Sequence, residues 1–148
     1  MIRDVFLIAA RRPVTYLVDA DVLCEPTKPA PDPRVLAWLR RHEREIAVDP
    51  IILGEIQYGI LLLRRGRRRD RLWDWFAAGM KGLQCLPWDA ETGLRWAQLL
   101  ADLRRTRRAM PIKDSLIAAT ALANSLTVVT RNRRDFENAG VDAIDPFD

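Results

Sequence analysis

The chain has 148 residues, the length of one domain, and 49% of them are hydrophobic, which is enough for a core of its own. Its net charge of +4 favours a polyanionic partner such as nucleic acid only weakly. One histidine, His42, and two cysteines outside any metal-type spacing give no support to a histidine base, a zinc site or a disulfide framework. The chain has no run of about 20 apolar residues, the length needed to cross a membrane. Its low cysteine content fits a cytoplasmic protein.

The first predicted strand begins at Val14 or Thr15 and ends at Val18, where an apolar run meets Asp19. We therefore interpret residues 1–13 as an N-terminal extension and residues 14–148 as the folded domain. A second acid, Asp21, follows two positions later. The two carboxylates fit three interpretations: solvated turn residues, a phosphoryl-accepting nucleophile with its helper, or ligands for a metal ion.

The rest of the chain alternates between helical and extended patterns. A proline-rich stretch at 24–33 predicts an irregular loop. Apolar periodicity and helix-start signals then predict the longer helices, at 32–43, 50–65, 66–80, 89–108 and 111–125. Short β-prone runs predict strands at 45–49, 83–88, 126–130 and 141–146. Residues 131–140 form a loop or a short turn of helix. This alternation predicts an α/β fold, three layers deep, around a mostly parallel sheet.

Several finer expectations follow from the same patterns. Asp32 and Asp89 are predicted to cap the first and fourth of these helices. Helical spacing predicts that five residues of the second helix face the core: Ile52, Ile56, Gly59, Ile60 and Leu63. We also expect Trp73 and Trp75 to belong to the core, the alternative being a surface for a partner or a second copy.

Polar side chains follow two strands at the points where these strands end. Asp19 and Asp21 follow the first strand, and Thr130, Asn132 and Asp135 follow the strand at 126–130. In an open parallel sheet, ligand sites form at the carboxyl ends of strands. If these two strands are neighbours, their polar side chains meet at one edge of the sheet.

Two further acids lie in otherwise apolar helices. Glu55 lies within "PIILGEIQYGI", and Asp114 lies near the start of "PIKDSLIAATA". Each has a plain structural explanation, solvent exposure for Glu55 and the helix dipole for Asp114. Together with Asp19, however, they make an acidic pocket plausible. Clustered carboxylates repel each other, and oxygen ligands without histidine or cysteine suit Mg²⁺ or Mn²⁺.

The motifs now carry a family resemblance. "YLVDADVLCEP", "IILGEIQYGI", "PIKDSLIAATALANSLTVVTRNRRDF" and "VDAIDPFD" resemble, in order, PIN-domain ribonucleases of the VapC and FitB type, the toxins of bacterial toxin–antitoxin pairs. With "VLAWL" and "LPWD" between them, the matching pieces run from about residue 15 to the end. The resemblance implies a PIN-like fold, a Mg²⁺- or Mn²⁺-dependent endoribonuclease, a small antitoxin as partner and a homodimer.

The resemblance also implies roles for particular residues. Asp19, Glu55 and Asp114 match the family's metal-binding and catalytic acids. The fourth catalytic position falls on Asp135, although some relatives carry aspartate where this chain has Asn132. Supporting roles fall on Asn132, Thr130 and Asp21, the last a departure from the asparagine more common in the family.

RNA would be bound by an arginine cluster that includes Arg67, Arg68 and Arg69, for which a solvated helix face is the alternative.

Two rival functions stay open. "LVDADV" also matches the D-x-D-x-[TV] signature of haloacid-dehalogenase-type phosphohydrolases, with Asp19 as nucleophile. That family needs a lysine after its second motif, whereas every lysine here precedes "TVVT". The other rival is a non-catalytic RNA- or protein-binding module on the same scaffold.

Overall fold

The computed structural model describes residues 13–148, so the predicted extension at 1–13 lies almost entirely outside the described residues. Five short strands form one sheet in the order β3-β2-β1-β4-β5, and every pair is parallel. Their bounds are β1 Tyr16–Val18, β2 Ile46–Val48, β3 Gln84–Cys85, β4 Thr127–Val129 and β5 Ala143–Ile144. The strand predictions are confirmed in place and order, although each strand is shorter than its apolar run.

The three central strands are buried on both faces. Consecutive residues Leu17 and Val18 of β1 are fully buried, and so are Val128 and Val129 of β4. Successive side chains of a strand point to opposite faces, so burial of both members of a pair means that helices cover both sides of the sheet. The three-layer α/β/α arrangement predicted from the alternation is therefore confirmed.

Seven α-helices occur among the described residues. Their bounds are α1 Ala20–Leu23, α2 Pro33–His42, α3 Pro50–Leu61, α4 Arg67–Gly79, α5 Ala90–Arg105, α6 Ile112–Asn124 and α7 Arg133–Asn138. Asp32 and Asp89 cap α2 and α5 as predicted: their carboxylates accept the backbone N–H groups of Arg34 and Thr92. None of the helices in this part of the chain is long and apolar enough to span a membrane.

The structure corrects several local predictions. Residues 20–23, for which the sequence predicted no element, form α1. Glu25–Thr27 forms a 3₁₀ turn within the proline-rich stretch, which predicted only irregular chain. These elements are too short to show an apolar period, and the proline at the second position of the 3₁₀ turn is compatible with such a turn.

Two of the five residues predicted to face the core from α3 do not do so. Gly59 is exposed, and α3 ends at Leu61, two residues before the half-buried Leu63. The apolar run continues past the helix end, so periodicity alone overstated its length. On α4, Trp73 is 38% exposed, which contradicts its assignment to the core, whereas Trp75 packs against the core.

Candidate active site

The strand order places the carboxyl ends of β1 and β4 side by side, so the polar residues after both strands share one edge of the sheet. Asp19 continues the ladder, because its N–H donates to the carbonyl of Val129 at 2.9 Å. Its side chain, 5% exposed, accepts from the N–H of Ala20 at 2.8 Å and from the Thr130 hydroxyl at 2.8 Å. Thr130 in turn accepts the N–H of Asn132 at 3.0 Å. These bonds fix the Asp19 carboxylate at the sheet edge.

Asp19 also begins α1, whose first turn carries Asp21. Burial, and next the charge of Asp19, raise the pKa of Asp21 from 3.8 to about 6. Burial likewise raises the pKa of Asp19, although the hydrogen bond from Thr130 opposes it. One carboxylate oxygen of Asp21, Oδ1, is buried without a hydrogen-bond partner among the described residues. Such an orphaned oxygen is costly unless a cation or water satisfies it.

The two acids that stood out in apolar helices, Asp114 and Glu55, both interact electrostatically with Asp19. Asp114, in the first turn of α6, is 3% exposed, and its pKa is raised from 3.8 to about 6. Burial is the main cause, followed by the charge of Asp19, with smaller contributions from Asp135 and Glu55. Glu55 also acts on Asp19 and Asp21. Asp114 is thus within electrostatic range of three other acids, Asp19, Glu55 and Asp135.

Asp135 and Asn132 differ in their relation to this cluster. Asp135 lies in the first turn of α7, is half-buried, and its charge raises the pKa of Asp114. Asn132 is the exposed residue before α7, and its side chain makes no capping hydrogen bond to that helix. Of the two residues, Asp135 is therefore the one whose charge acts on Asp114.

One cation enters the cluster, and sequence reasoning missed its role. The Lys113 ammonium lies 2.7 Å from Oε1 of Glu55, and its charge opposes part of the rise in the pKa values of Asp19 and Asp114. The pKa of Lys113 is raised, mainly by its hydrogen bond to Glu55. The signal in the sequence was only a lysine next to a candidate acid.

A second missed residue is Asp49, at the end of β2. It is fully buried, caps α3 by accepting the N–H of Ile52 at 2.9 Å, and accepts the Thr120 hydroxyl of α6 at 2.7 Å. Burial raises its pKa, and the charge of Asp19 contributes less. Asp49 therefore links the helix that carries Glu55 to the helix that carries Asp114. Its position at a strand end followed by Pro50 was the available signal.

The possible ligand atoms of the cluster are carboxylate oxygens, which suit a hard divalent cation. Two of these oxygens, Asp21 Oδ1 and Glu55 Oε2, are buried without a hydrogen-bond partner in the described region. Nevertheless, in this arrangement no three histidine, cysteine, aspartate or glutamate side chains of residues 13–148 stand close enough together to hold a metal ion. The residue types fit Mg²⁺ or Mn²⁺, but their side chains would have to move together to bind it.

The predicted arginine cluster opens α4. Arg67 and Arg68 are exposed and Arg69 is half-buried. Arg68 lines a surface groove of about 590 Å³ together with Arg71, Lys28 and Trp75. Three of the side chains that line the groove are basic, which gives the groove a positive charge.

A five-stranded parallel sheet with acids collected at its carboxyl edge defines the class of this domain as PIN-like. The family model described as "PIN domain" matches residues 16–141, which is most of the chain. The chain belongs to the PIN domain family.

Relatives in sequence cover nearly the whole chain. The plasmid stability protein StbB of Pseudomonas syringae pv. tomato is 33% identical over 136 residues, which are 89% of this chain and 98% of that protein. The VapC ribonuclease Y4jK of Sinorhizobium fredii is 31% identical over 137 residues, 89% of this chain and 97% of that protein.

Among solved structures, the crystal structure of FitAcB from Neisseria gonorrhoeae is similar with a TM-score of 0.85 and 30% identity. The alignment covers 90% of this chain and 99% of that chain. DNA-bound VapBC from Salmonella typhimurium, at 22% identity and a TM-score of 0.76 over 90% of this chain and 98% of that one, is similar in fold.

Proposed function

We propose that this protein is a metal-dependent endoribonuclease and the toxin of a toxin–antitoxin pair. The observation that carries the proposal is that the charges of Asp19 and Glu55 both act on the buried Asp114 in a PIN-family domain. The relatives named a VapC ribonuclease and a FitB toxin support it at 31% identity each. Membership of the PIN family weighs against the phosphohydrolase alternative, which would use Asp19 as a covalent nucleophile.

Asp19 and Asp114 are the proposed principal ligands that would hold Mg²⁺ or Mn²⁺, and Glu55 would hold the ion directly or through water. A bound ion of this kind supplies a water of lowered pKa and positive charge beside the scissile phosphate. Thr130 holds Asp19 in one orientation through its hydroxyl. Asp21 lies beside Asp19 and adds negative charge. Hydrolysis by water predicts RNA products with a 5′-phosphate and a 3′-hydroxyl.

The decisive experiment is RNA cleavage by the purified protein with Mg²⁺ or Mn²⁺, with EDTA, and with Asp19→Asn. Cleavage that depends on the metal and on Asp19 supports the proposal. Cleavage that survives both EDTA and Asp19→Asn refutes the mechanism. A phosphoaspartate trapped on Asp19 would revive the phosphohydrolase, and metal-independent RNA binding without cleavage would favour a non-catalytic module.

For the fourth catalytic position we propose Asp135. Its support is the effect of its charge on Asp114, whereas Asn132 is exposed. We expect Asp135→Asn to lower the cleavage rate by about a hundredfold and Asn132→Ala to lower it by less than tenfold, both at unchanged stability. The reverse order of these two effects would assign the position to Asn132.

We further propose that RNA lies along the groove of Arg68, Arg71 and Lys28 and also contacts Arg67 and Arg69 of the same helix. The positive charge of the groove supports this path. The triple change of Arg67, Arg68 and Arg69 to Ala should weaken RNA binding and flatten its dependence on salt concentration. Unchanged binding would show that these arginines form only a solvated helix face.

The proposed protein partner is a small antitoxin, as the toxin assignment implies. Exposed apolar side chains near the end of α3 and on α4, among them Tyr58, Leu62 and Trp73, offer a surface for an antitoxin or for a second copy in a homodimer. Co-expression with a short open reading frame from the neighbouring gene tests the pairing. A toxin assignment predicts a co-purifying complex, and light scattering of the protein alone tests the homodimer.

A further inference from the structure

Lys113 and Glu55 form an ion pair within the acidic cluster. They lie 58 positions apart in sequence, on α6 and α3, and their charged atoms are 2.7 Å apart. The Lys113 side chain is 52% exposed and that of Glu55 is 29% exposed. The lysine therefore reaches in from the surface, with its ammonium on the carboxylate.

The pair occupies one oxygen of a proposed metal ligand. Oε1 of Glu55 bonds to Lys113, while Oε2 is buried without a partner in the described part of the chain. The same ammonium acts on Asp19 and Asp114, the two other proposed ligands. A single positive charge thus sits where clustered carboxylates need a cation, and a divalent ion that takes Glu55 must compete with it.

We propose that Lys113 is a built-in counter-ion that holds Glu55 in the metal-free protein and is displaced from it when a divalent ion binds. The inference rests on the proposed function, because it assumes that Glu55 helps to hold Mg²⁺ or Mn²⁺. Lys113 is in this view a positioning residue with two opposite effects. It stabilises the metal-free fold by relieving repulsion among the acids, and it weakens the affinity for the divalent ion.

The opposite signs make the proposal testable by Lys113→Met. We expect the metal-free variant to unfold at a lower temperature in EDTA, and its Kd for Mn²⁺ by calorimetry to fall about fivefold. That factor corresponds to the ~1 kcal/mol that a half-exposed ion pair contributes at most. A lysine that merely props Glu55 in place for the metal would make the Kd rise instead. An unchanged or higher Kd overturns the proposal.

Three further variants separate this role from a general effect of charge. Arg105→Met removes the same charge from an exposed ion pair with Asp102, and its Kd for Mn²⁺ should change less than twofold. Lys113→Arg keeps the charge and should stay near wild type. In a Glu55→Gln background, Lys113→Met should no longer tighten binding. Equal gains in the Arg105 variant, or an undiminished gain in the Glu55→Gln background, overturn the specific competition.

Lys113→Gln, which keeps a polar side chain at this surface position, is measured beside Lys113→Met and should show the same tighter binding of Mn²⁺.

The outcomes also distinguish the proposed metal-dependent function from the proposed role of Lys113. If the wild-type protein binds no Mn²⁺, both the metal-dependent mechanism and the role of Lys113 are overturned. If the wild type binds Mn²⁺ and the Lys113 variants bind it no more tightly, only the role of Lys113 fails.

Discussion

The buried carboxylate of Asp114 should destabilise the metal-free fold at neutral pH, so Asp114→Asn should be more stable than the wild type. Its pKa rises from 3.8 to about 6, mainly through burial and next through the charge of Asp19. At pH values between 3.8 and about 6, the Asp114 side chain holds a proton in the folded state that it has released in the unfolded chain. The contribution of Asp114 to stability is therefore most favourable below pH 3.8 and is lost as the pH rises through about 6.

The magnitude follows from the two pKa values. A rise from 3.8 to about 6 corresponds to roughly 3 kcal/mol, at about 1.36 kcal/mol for each pKa unit. Because neighbouring acids share the same repulsion and titrate together, we expect Asp114→Asn to gain about 1–3 kcal/mol at pH 8. At pH 4 the wild-type side chain is protonated in the folded state and resembles asparagine, so the difference should nearly vanish.

Urea unfolding in EDTA at pH 4 and pH 8 measures the difference, and Asp142→Asn, at an exposed position, is the matched control. The control should stay within about 0.5 kcal/mol of the wild type at both pH values. Adding Mn²⁺ should reverse the order, stabilising the wild type but not Asp114→Asn. A variant less stable than the wild type at pH 8, or a difference independent of pH, would refute the reasoning.

Three other predictions test the supports of the site. Thr130→Val removes the hydrogen bond to the buried Asp19 and should cost about 2 kcal/mol in urea unfolding, while Thr130→Ser should cost less than half of that. Thr120→Val removes the hydrogen bond to Asp49 and should also cost about 2 kcal/mol in urea unfolding. The rate of RNA cleavage by the folded variant should stay within about twofold of the wild-type rate, and a hundredfold loss would give Asp49 a direct role in the reaction. Since a metal ligand must be deprotonated and the pKa of Asp114 is about 6, the Kd for Mn²⁺ should weaken about fourfold from pH 7.5 to pH 5.5, and a constant Kd would contradict its role as ligand.

Much of the candidate site could be predicted from local sequence. Asp19 and Thr130 are the residues at which two β-prone runs end, and in a parallel sheet such ends share an edge. Asp114 and Glu55 stand out because they are acids in apolar helices. Each of these signals lies within a window of about ten residues, which is why periodicity and composition can detect it.

The rest depended on contacts between distant parts of the chain. Asp49 is an ordinary helix cap in sequence, and only the packing of α3 on α6 buries it against Thr120. No local pattern encodes the approach of a side chain 58 positions away, so the partner of Glu55 could not be read from the motif that contains it.

The sequence by itself determined the order of strands and helices, the caps at Asp32 and Asp89, and the identity of the acids, because these depend on backbone preferences and on periodicity within one element. The tertiary structure decided which acids meet, which oxygens are left without partners, and that Lys113 enters the cluster. Those features depend on burial and on charge–charge distances, and both exist only after the helices have packed on the sheet.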